Sequence, residues 1–412
     1  MIKLNLPLKT ILIFFLTMIL ISSSAYAAPK YELYDSVTVS KIMQSTNIFE
    51  LQARAAVLMD ADTGSVLLEK SAHERLPIAS ITKIMSMLLI MEAIDNGSIK
   101  MDDVVTISET SYKMGGSQVY LEPGEKFTVK ELLKAVAVES ANDATVALAE
   151  HVAGSEEVFV QKMNEKAKAL NMNNTNFIDC TGLTDDNHYS SAYDVAVMSR
   201  ELITRHPQIF EFSKIWMTKF RPDGHKAQMV LSNTNKLIRH YEGVVTGLKT
   251  GFTRKAGYCL SLTGSKNNLN MIAVVLGEPD TNTRFAEARK LIDYGFSNYE
   301  RSRMNNAGEL ARKITIKKGM PAVIDAIFES NADIVVKKGI KDKIQSEIII
   351  DENLKPPLKK GEVVGKAIYK VDGEVIYEAN IIAAGDVQKV STVSIFYKMI
   401  VKWFSLGKSH ST

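Results

Sequence analysis

"LPIASITKIMSM" (76–87) places a hydroxyl, Ser80, and an amine, Lys83, three positions apart among Ile78, Ile81, Ile84 and Met85. Residues three apart on a helix are neighbours on one face. That spacing suits a hydroxyl nucleophile beside an amine base. The pattern continues as "ITKIMSMLLIMEAIDNG" (81–97), a helix apolar on all sides that Asn96 and Gly97 stop. So apolar a helix has to be buried, and it predicts an element running through the centre of its domain. A lysine there is costly unless it has a partner or a task.

The chain around this helix alternates in character. Upstream, "AAVLMDADTGSVLLEKSA" (55–72) reads as two strands joined by an Asp-Thr-Gly turn. Downstream, from about 100 to 240, periodicity predicts helices at 128–138, 142–153, 156–170 and 191–204, the last opened by a capping pattern at Ser191 and Asp194. Residues 246–280 hold two apolar runs flanking Lys266-Asn267-Asn268, a second hairpin, and 283–299 is an amphipathic helix. Strands at both ends with helices between them predict one α+β domain over 53–300. Short apolar strands with turns at Lys317-Lys318-Gly319 and Asp372-Gly373 predict a small all-β domain over 307–385.

The two ends differ from both domains. Residues 1–27 combine Lys3 and Lys9, an apolar stretch at 11–21 and a small-x-small site at Ala25 and Ala27, which is the pattern of a secretory signal. The stretch is shorter than the ~20 apolar residues that span a bilayer. Residues 28–52 form a polar, irregular N-terminal arm. At the other end, 388–406 predicts an amphipathic helix on a membrane surface. Its polar stripe is Ser391, Ser394, Lys398, Lys402 and Ser405, with Trp403, Phe404 and other apolar side chains around it. A formal net charge of +3 gives no argument for nucleic acid binding, and none is expected. Cys180 and Cys259 are too few for a disulfide framework; they form one bridge or stay as two buried thiols. No histidine, cysteine and carboxylate grouping has metal-ligand spacing, and there is no G-x-S-x-G elbow or phosphate loop, so no metal and no cofactor are expected.

Three short elements occur in order: Ser80-Ile81-Thr82-Lys83, Ser140-Ala141-Asn142 and Lys249-Thr250-Gly251. Each alone is a weak signal, and a second S-x-x-K at Ser405 and Lys408 is accidental. Their order and setting carry the weight: the opening of a buried helix, a junction between helices, and a strand entering a hairpin. With the surrounding "LPIASITKIMSMLL", "ESANDATVALAEHVAG", "CTGLTDDNHYSSAYDVAVMSREL" and "GLKTGFTRKAGYCL", the chain resembles the low-molecular-mass penicillin-binding proteins, the serine D-alanyl-D-alanine carboxypeptidases. The resemblance covers about 53–300, and extends more loosely to the β domain and tail. It departs at Thr246, where an Asp is frequent in the family.

The resemblance implies a β-lactamase/transpeptidase-like catalytic domain, an exported enzyme on the extracytoplasmic face of the bacterial cell membrane, and peptidoglycan stem peptides ending in D-Ala-D-Ala as substrates, with β-lactams as acylating agents. Ser80 would be the nucleophile and Lys83 its base. Ser140 would relay protons to the leaving amine, and Asn142 would bond the substrate amide. Lys249 and Thr250 would bind the terminal carboxylate, with Gly251 allowing close backbone approach. The amides of Ser80 and Phe252 would form the oxyanion hole, and Arg284 would add positive charge near the carboxylate. A free lysine titrates near ~10.4, so burial and the second cation at Lys249 are expected to lower Lys83. His188 invites a triad reading, but the cap at Ser191 explains its segment structurally. A class A β-lactamase would also carry a deacylating glutamate, for which there is no E-x-x-L-N stretch, and Ala141 stands where S-D-N has its Asp. Two further readings stay open: an endopeptidase cutting cross-links, and a catalytically idle penicillin-binding sensor.

Overall fold

The computed structural model describes residues 50–391 except 184 and 222–226, and beyond them 396, 399 and 400. The centre is a five-stranded antiparallel sheet. In chain order its strands are β1 (Ala55–Asp60), β2 (Val66–Lys70), β3 (Val245–Thr253), β4 (Gly257–Lys266) and β5 (Leu269–Glu278), lying side by side as β2-β1-β5-β4-β3. The strand β1 is apolar at nearly every position because both its faces are covered. Ala55, Val57 and Met59 enter one core with Ile272, Val274 and Leu276; Ala56 and Leu58 enter the other with Met271, Ala273 and Val275.

Helices fill both sides. The first core holds α1 (Lys83–Asp95), α2 (Val129–Val138), α3 (Asn142–Ala153), α4 (Glu156–Ala169) and α5 (Ala192–Arg205). The second packs α6 (Thr281–Asn298) on the sheet through Phe285, Leu291, Ile292 and Phe296. The expected central helix is present, but α1 starts at Lys83, and Ala79–Thr82 before it is a 3-10 turn. The reciprocal capping box lies at Thr128 and Glu131, where Glu131 N donates to Thr128 Oγ1 (3.2 Å) and Thr128 N to Glu131 Oε2 (2.8 Å). At α5, Ser191 Oγ accepts from Asp194 N (3.1 Å), while the Asp194 carboxylate accepts from Asn174 N and Thr175 Oγ1. The β4–β5 turn puts Asn267 and Asn268 both at positive φ (52° and 61°), the mirror-image turn that favours asparagine in two-residue hairpins. Met217–Phe220 pairs with Met229–Ser232 as a small hairpin inside the region read as helices and loops.

A second, smaller all-β region follows. The strand β6 (Tyr299–Asn305) spans the junction drawn between 300 and 307, and pairs with β9 (Ala332–Lys337). The other strands are β7 (Leu310–Thr315), β8 (Val323–Phe328), β10 (Gln345–Ile350), β11 (Val363–Val371) and β12 (Glu374–Ala383), ordered β7-β8-β12-β11-β10. They bury their own core around Ile316, Val364, Tyr369 and Ile381. Arg301 on β6 reaches back to Asp60 (3.2 Å) and Asp62 of the first sheet. Of the helix expected over 388–406, Gln388–Lys389 instead forms a short strand against Gly319–Met320. The rest of that segment lies outside the described residues apart from 390, 391, 396, 399 and 400. The expected secretory signal at 1–27 and the expected arm up to residue 49 lie outside them altogether. Among the described residues no helix is long and apolar enough to cross a membrane.

Candidate active site

Ser80 lies in the 3-10 turn and Lys83 begins α1. In a 3-10 turn residues three apart eclipse one another, and Lys83 Nζ stands 3.0 Å from Ser80 Oγ. Its second hydrogen bond goes to Thr181 O (2.7 Å). The lysine has no accessible surface, and burial pushes its pKa down from 10.5 to about 8. At pH 7 the neutral amine then lies only ~1.4 kcal/mol above the ammonium, roughly a tenth of the population. Cys180, Asp179 and Asp143 oppose the drop. Burial first, then the charges of Lys83 and Arg284, hold Lys249 well below the ordinary range. Burial therefore disfavours a proton on Lys249, whereas a neighbouring anion would favour one.

Ser140 and Asn142 precede and open α3. An ordinary helix cap would use their side chains, but Ala141 is the N-cap and no side-chain capping bond forms. Ser140 takes a positive φ of 66°, with its Oγ buried and unpartnered. Asn142 Nδ2 donates to Gly115 O (2.6 Å), and its Oδ1 is buried without a partner. Buried polar atoms without a partner are uncommon in folded proteins, and these two belong to the second motif.

Strand β3 forms the edge of the sheet. Lys249 Nζ donates to Thr250 O (2.9 Å) and Thr250 Oγ1 to Thr234 Oγ1 (2.7 Å). The glycine at 251 is required by a close approach: a Cβ there would sit 2.6 Å from Ile78 O and 3.1 Å from Ile81 N. It is the turn bearing Ser80 that comes so near. Phe252 follows, half exposed and stacked on Tyr258 at 4.3 Å. Arg284, expected as a cation near the carboxylate, is buried with Nη1 3.3 Å from Gly251 O. Its charge also adds to what lowers Lys249.

Other residues are brought to the site that the motifs did not indicate. Thr181 and Gly182, of the quoted "CTGL", contribute the carbonyl that holds Lys83 and a glycine packed on Ala79 O. His188 does not reach Ser80: its Nδ1 accepts from Ile178 N (3.2 Å) and its Nε2 faces Thr82 Oγ1 (2.8 Å), which itself donates to Ala79 O. That ring braces the turn as a neutral group, with burial lowering its pKa. Cys180 and Cys259 are buried free thiols, both pushed up by burial, so neither is a nucleophile at neutral pH.

A serine beside a buried, neutralisable lysine, a second hydroxyl, an amide and a lysine on an edge strand define a serine acyl-transfer site of the lysine-base class. Residues 36–280 match the family described as D-alanyl-D-alanine carboxypeptidase, and residues 299–389 match the one described as penicillin-binding protein 5, C-terminal domain. The chain belongs to the D-alanyl-D-alanine carboxypeptidase family. It is 44% identical over 353 residues to the D-alanyl-D-alanine carboxypeptidase DacF of Bacillus subtilis, covering 85% of this chain and 90% of that relative. Its fold is similar to penicillin-binding protein 5 of Haemophilus influenzae, with a TM-score of 0.78 and 32% identity over 84% of this chain and 100% of that one. It is also similar to penicillin-binding protein D2 of Listeria monocytogenes in its ampicillin-bound form, with a TM-score of 0.54 and 30% identity over 61% of this chain and 100% of that one.

Proposed function

We propose that the chain removes the terminal D-alanine from peptidoglycan stem peptides through an acyl-enzyme on Ser80. The observation that carries this is the 3.0 Å contact between Ser80 Oγ and a fully buried Lys83 Nζ. Neutral Lys83 takes the hydroxyl proton as Ser80 Oγ attacks the carbonyl between the two D-alanines. The amides of Ser80 and Phe252 receive the oxyanion. Ser140 passes a proton to the leaving amine, and the C–N bond breaks to release D-alanine. Water then hydrolyses the Ser80 ester and the proton returns through Lys83. Asn142 Oδ1 accepts an N–H from the peptide, while Lys249 and Thr250 hold the terminal carboxylate, with Arg284 adding charge from behind.

A β-lactam offers the same carboxylate and a strained acyl carbonyl, so it should label Ser80 stoichiometrically. Intact-mass analysis of Ser80→Ala after penicillin treatment tests this, and an adduct persisting on the variant would move the nucleophile elsewhere. A release burst from a D-Ala-D-Ala peptide separates the enzyme from an idle sensor. Faster cleavage of a cross-linked dimer than of the free pentapeptide would favour the endopeptidase reading. The leader at 1–27 and the lysine- and aromatic-bearing tail support export and attachment to the outer face of the cell membrane.

A further inference from the structure

Arg221 belongs to no motif, yet its side chain is only 1% exposed and every donor-bearing nitrogen is used. Nε and Nη2 grip the Glu125 carboxylate (3.2 and 2.9 Å); Nη1 donates to Val119 O (2.9 Å) and Ala227 O (3.2 Å), and Nη2 also to Tyr120 O (2.7 Å). The rings of Phe127 and Phe220 lie 5.4 and 5.1 Å from the guanidinium carbon. The same stretch of chain is held from its amide side by Asp143, whose carboxylate accepts from Val119 N and Leu121 N, each at 3.1 Å. Tyr120, between the two grips, sits at a φ of 53°. A non-glycine residue keeps that conformation only where its surroundings impose it.

The clamped stretch leads directly to Asn142. Ser117 O accepts from Asn142 N (2.7 Å) and Gly115 O from Asn142 Nδ2 (2.6 Å). The second bond decides which way round the amide lies. With Nδ2 tied to a carbonyl, Oδ1 is left buried and unpartnered, an acceptor with nothing to accept. We infer that Arg221 is a positioning residue: by clamping residues 115–121 against α3 it orients the Asn142 amide to accept an N–H from the acyl side of the ligand. This rests on the reading of Asn142 given above.

Two β-lactams separate the roles. Benzylpenicillin carries an acylamino N–H for Asn142 Oδ1, whereas penicillanic acid has the same nucleus without that group. Arg221→Ala should slow acylation of Ser80 by benzylpenicillin about tenfold, the worth of one oriented hydrogen bond, and leave penicillanic acid within about twofold. Arg221→Lys keeps the charge opposite Glu125 but loses the planar fork, so it should give a smaller selective loss, and it serves if the alanine variant fails to fold. In an Asn142→Ala background Arg221→Ala should add no further selectivity. Equal losses for both compounds, in either variant, would overturn the inference and leave Arg221 as a support of the fold. Wild-type protein that neither compound labels on Ser80 would overturn the reading of the site itself, and this inference with it.

Discussion

Lys83 shows how one residue trades stability for chemistry. Its folded pKa of about 8 lies below the ordinary 10.5, so between those values the unfolded chain binds more protons than the folded one. Stability therefore rises with pH across that window, and the penalty is fully present below about 8. The shift corresponds to ~3 kcal/mol, from which the loss of the hydrogen bond to Thr181 O would subtract ~1 kcal/mol. Lys83→Met should thus stabilise the protein by ~2 kcal/mol at pH 7, with a smaller gain at pH 10, while abolishing penicillin acylation. Urea unfolding at the two pH values checks this; an equal change at both would remove burial of the charge as the cause. Arginine substitutions divide the two lysines further. Lys83→Arg keeps a cation that cannot give up its proton, so acylation should fall by orders of magnitude, whereas Lys249→Arg keeps the attraction for a carboxylate and should retain more activity. Similar rate losses for penicillin and peptide in both variants would show that the roles are not separate.

At the scale of elements, the site depends on how closely the Ser80 turn is approached from two sides. Gly251 meets it on the strand side, and Gly182 meets it from the loop after Cys180. Gly182 takes a φ of 87°, and a Cβ there would fall 1.9 Å from Ala79 O and 2.8 Å from Thr82 Oγ1. Gly97, after α1, has a φ of 77° and nothing within 4 Å. An alanine at 97 therefore meets only the backbone penalty, about 1 kcal/mol. Gly182→Ala adds a backbone collision and should cost several times more, with slower acylation at temperatures where the protein remains folded. Thermal melts of the two variants side by side are the measurement, and equal losses would mean that the turn yields freely. The contrast also shows what sequence can convey. The long helices were legible because their apolar spacing and caps are local, and the three motifs because each is contiguous. Arg221, Asp143 and Thr181 were not, since each meets its partners from a distant part of the chain. The hairpin from 217 to 232 was missed for a related reason. Each of its strands buries just one apolar side chain, Phe220 or Leu231, which leaves no alternation to read.

Over the whole molecule, the catalytic fold and the β region carry separate cores. The strand at Gln388–Lys389 is held to Gly319–Met320, and Val390 N donates to Lys318 O (2.9 Å), so this pairing extends through residue 390. Beyond it the sequence runs "STVSIFYKMIVKWFSLGKSHST", with Lys398 and Lys402 in the expected polar stripe and Trp403 and Phe404 among the apolar residues. On the proposed membrane attachment, each lysine near an anionic lipid would contribute roughly 1 kcal/mol, so burial of the apolar side would have to supply most of the binding. The boundary at 390 decides where to cut: removal of residues 391–412 spares the strand pair. The full chain should sediment with vesicles of mixed anionic and neutral lipid, with only a modest loss in high salt, whereas the truncated chain should stay in solution. Hydrolysis of a soluble D-Ala-D-Ala peptide should be nearly the same for both. If the truncated chain instead unfolds at lower temperature or loses activity while still binding vesicles, the tail is part of the fold and attachment lies elsewhere.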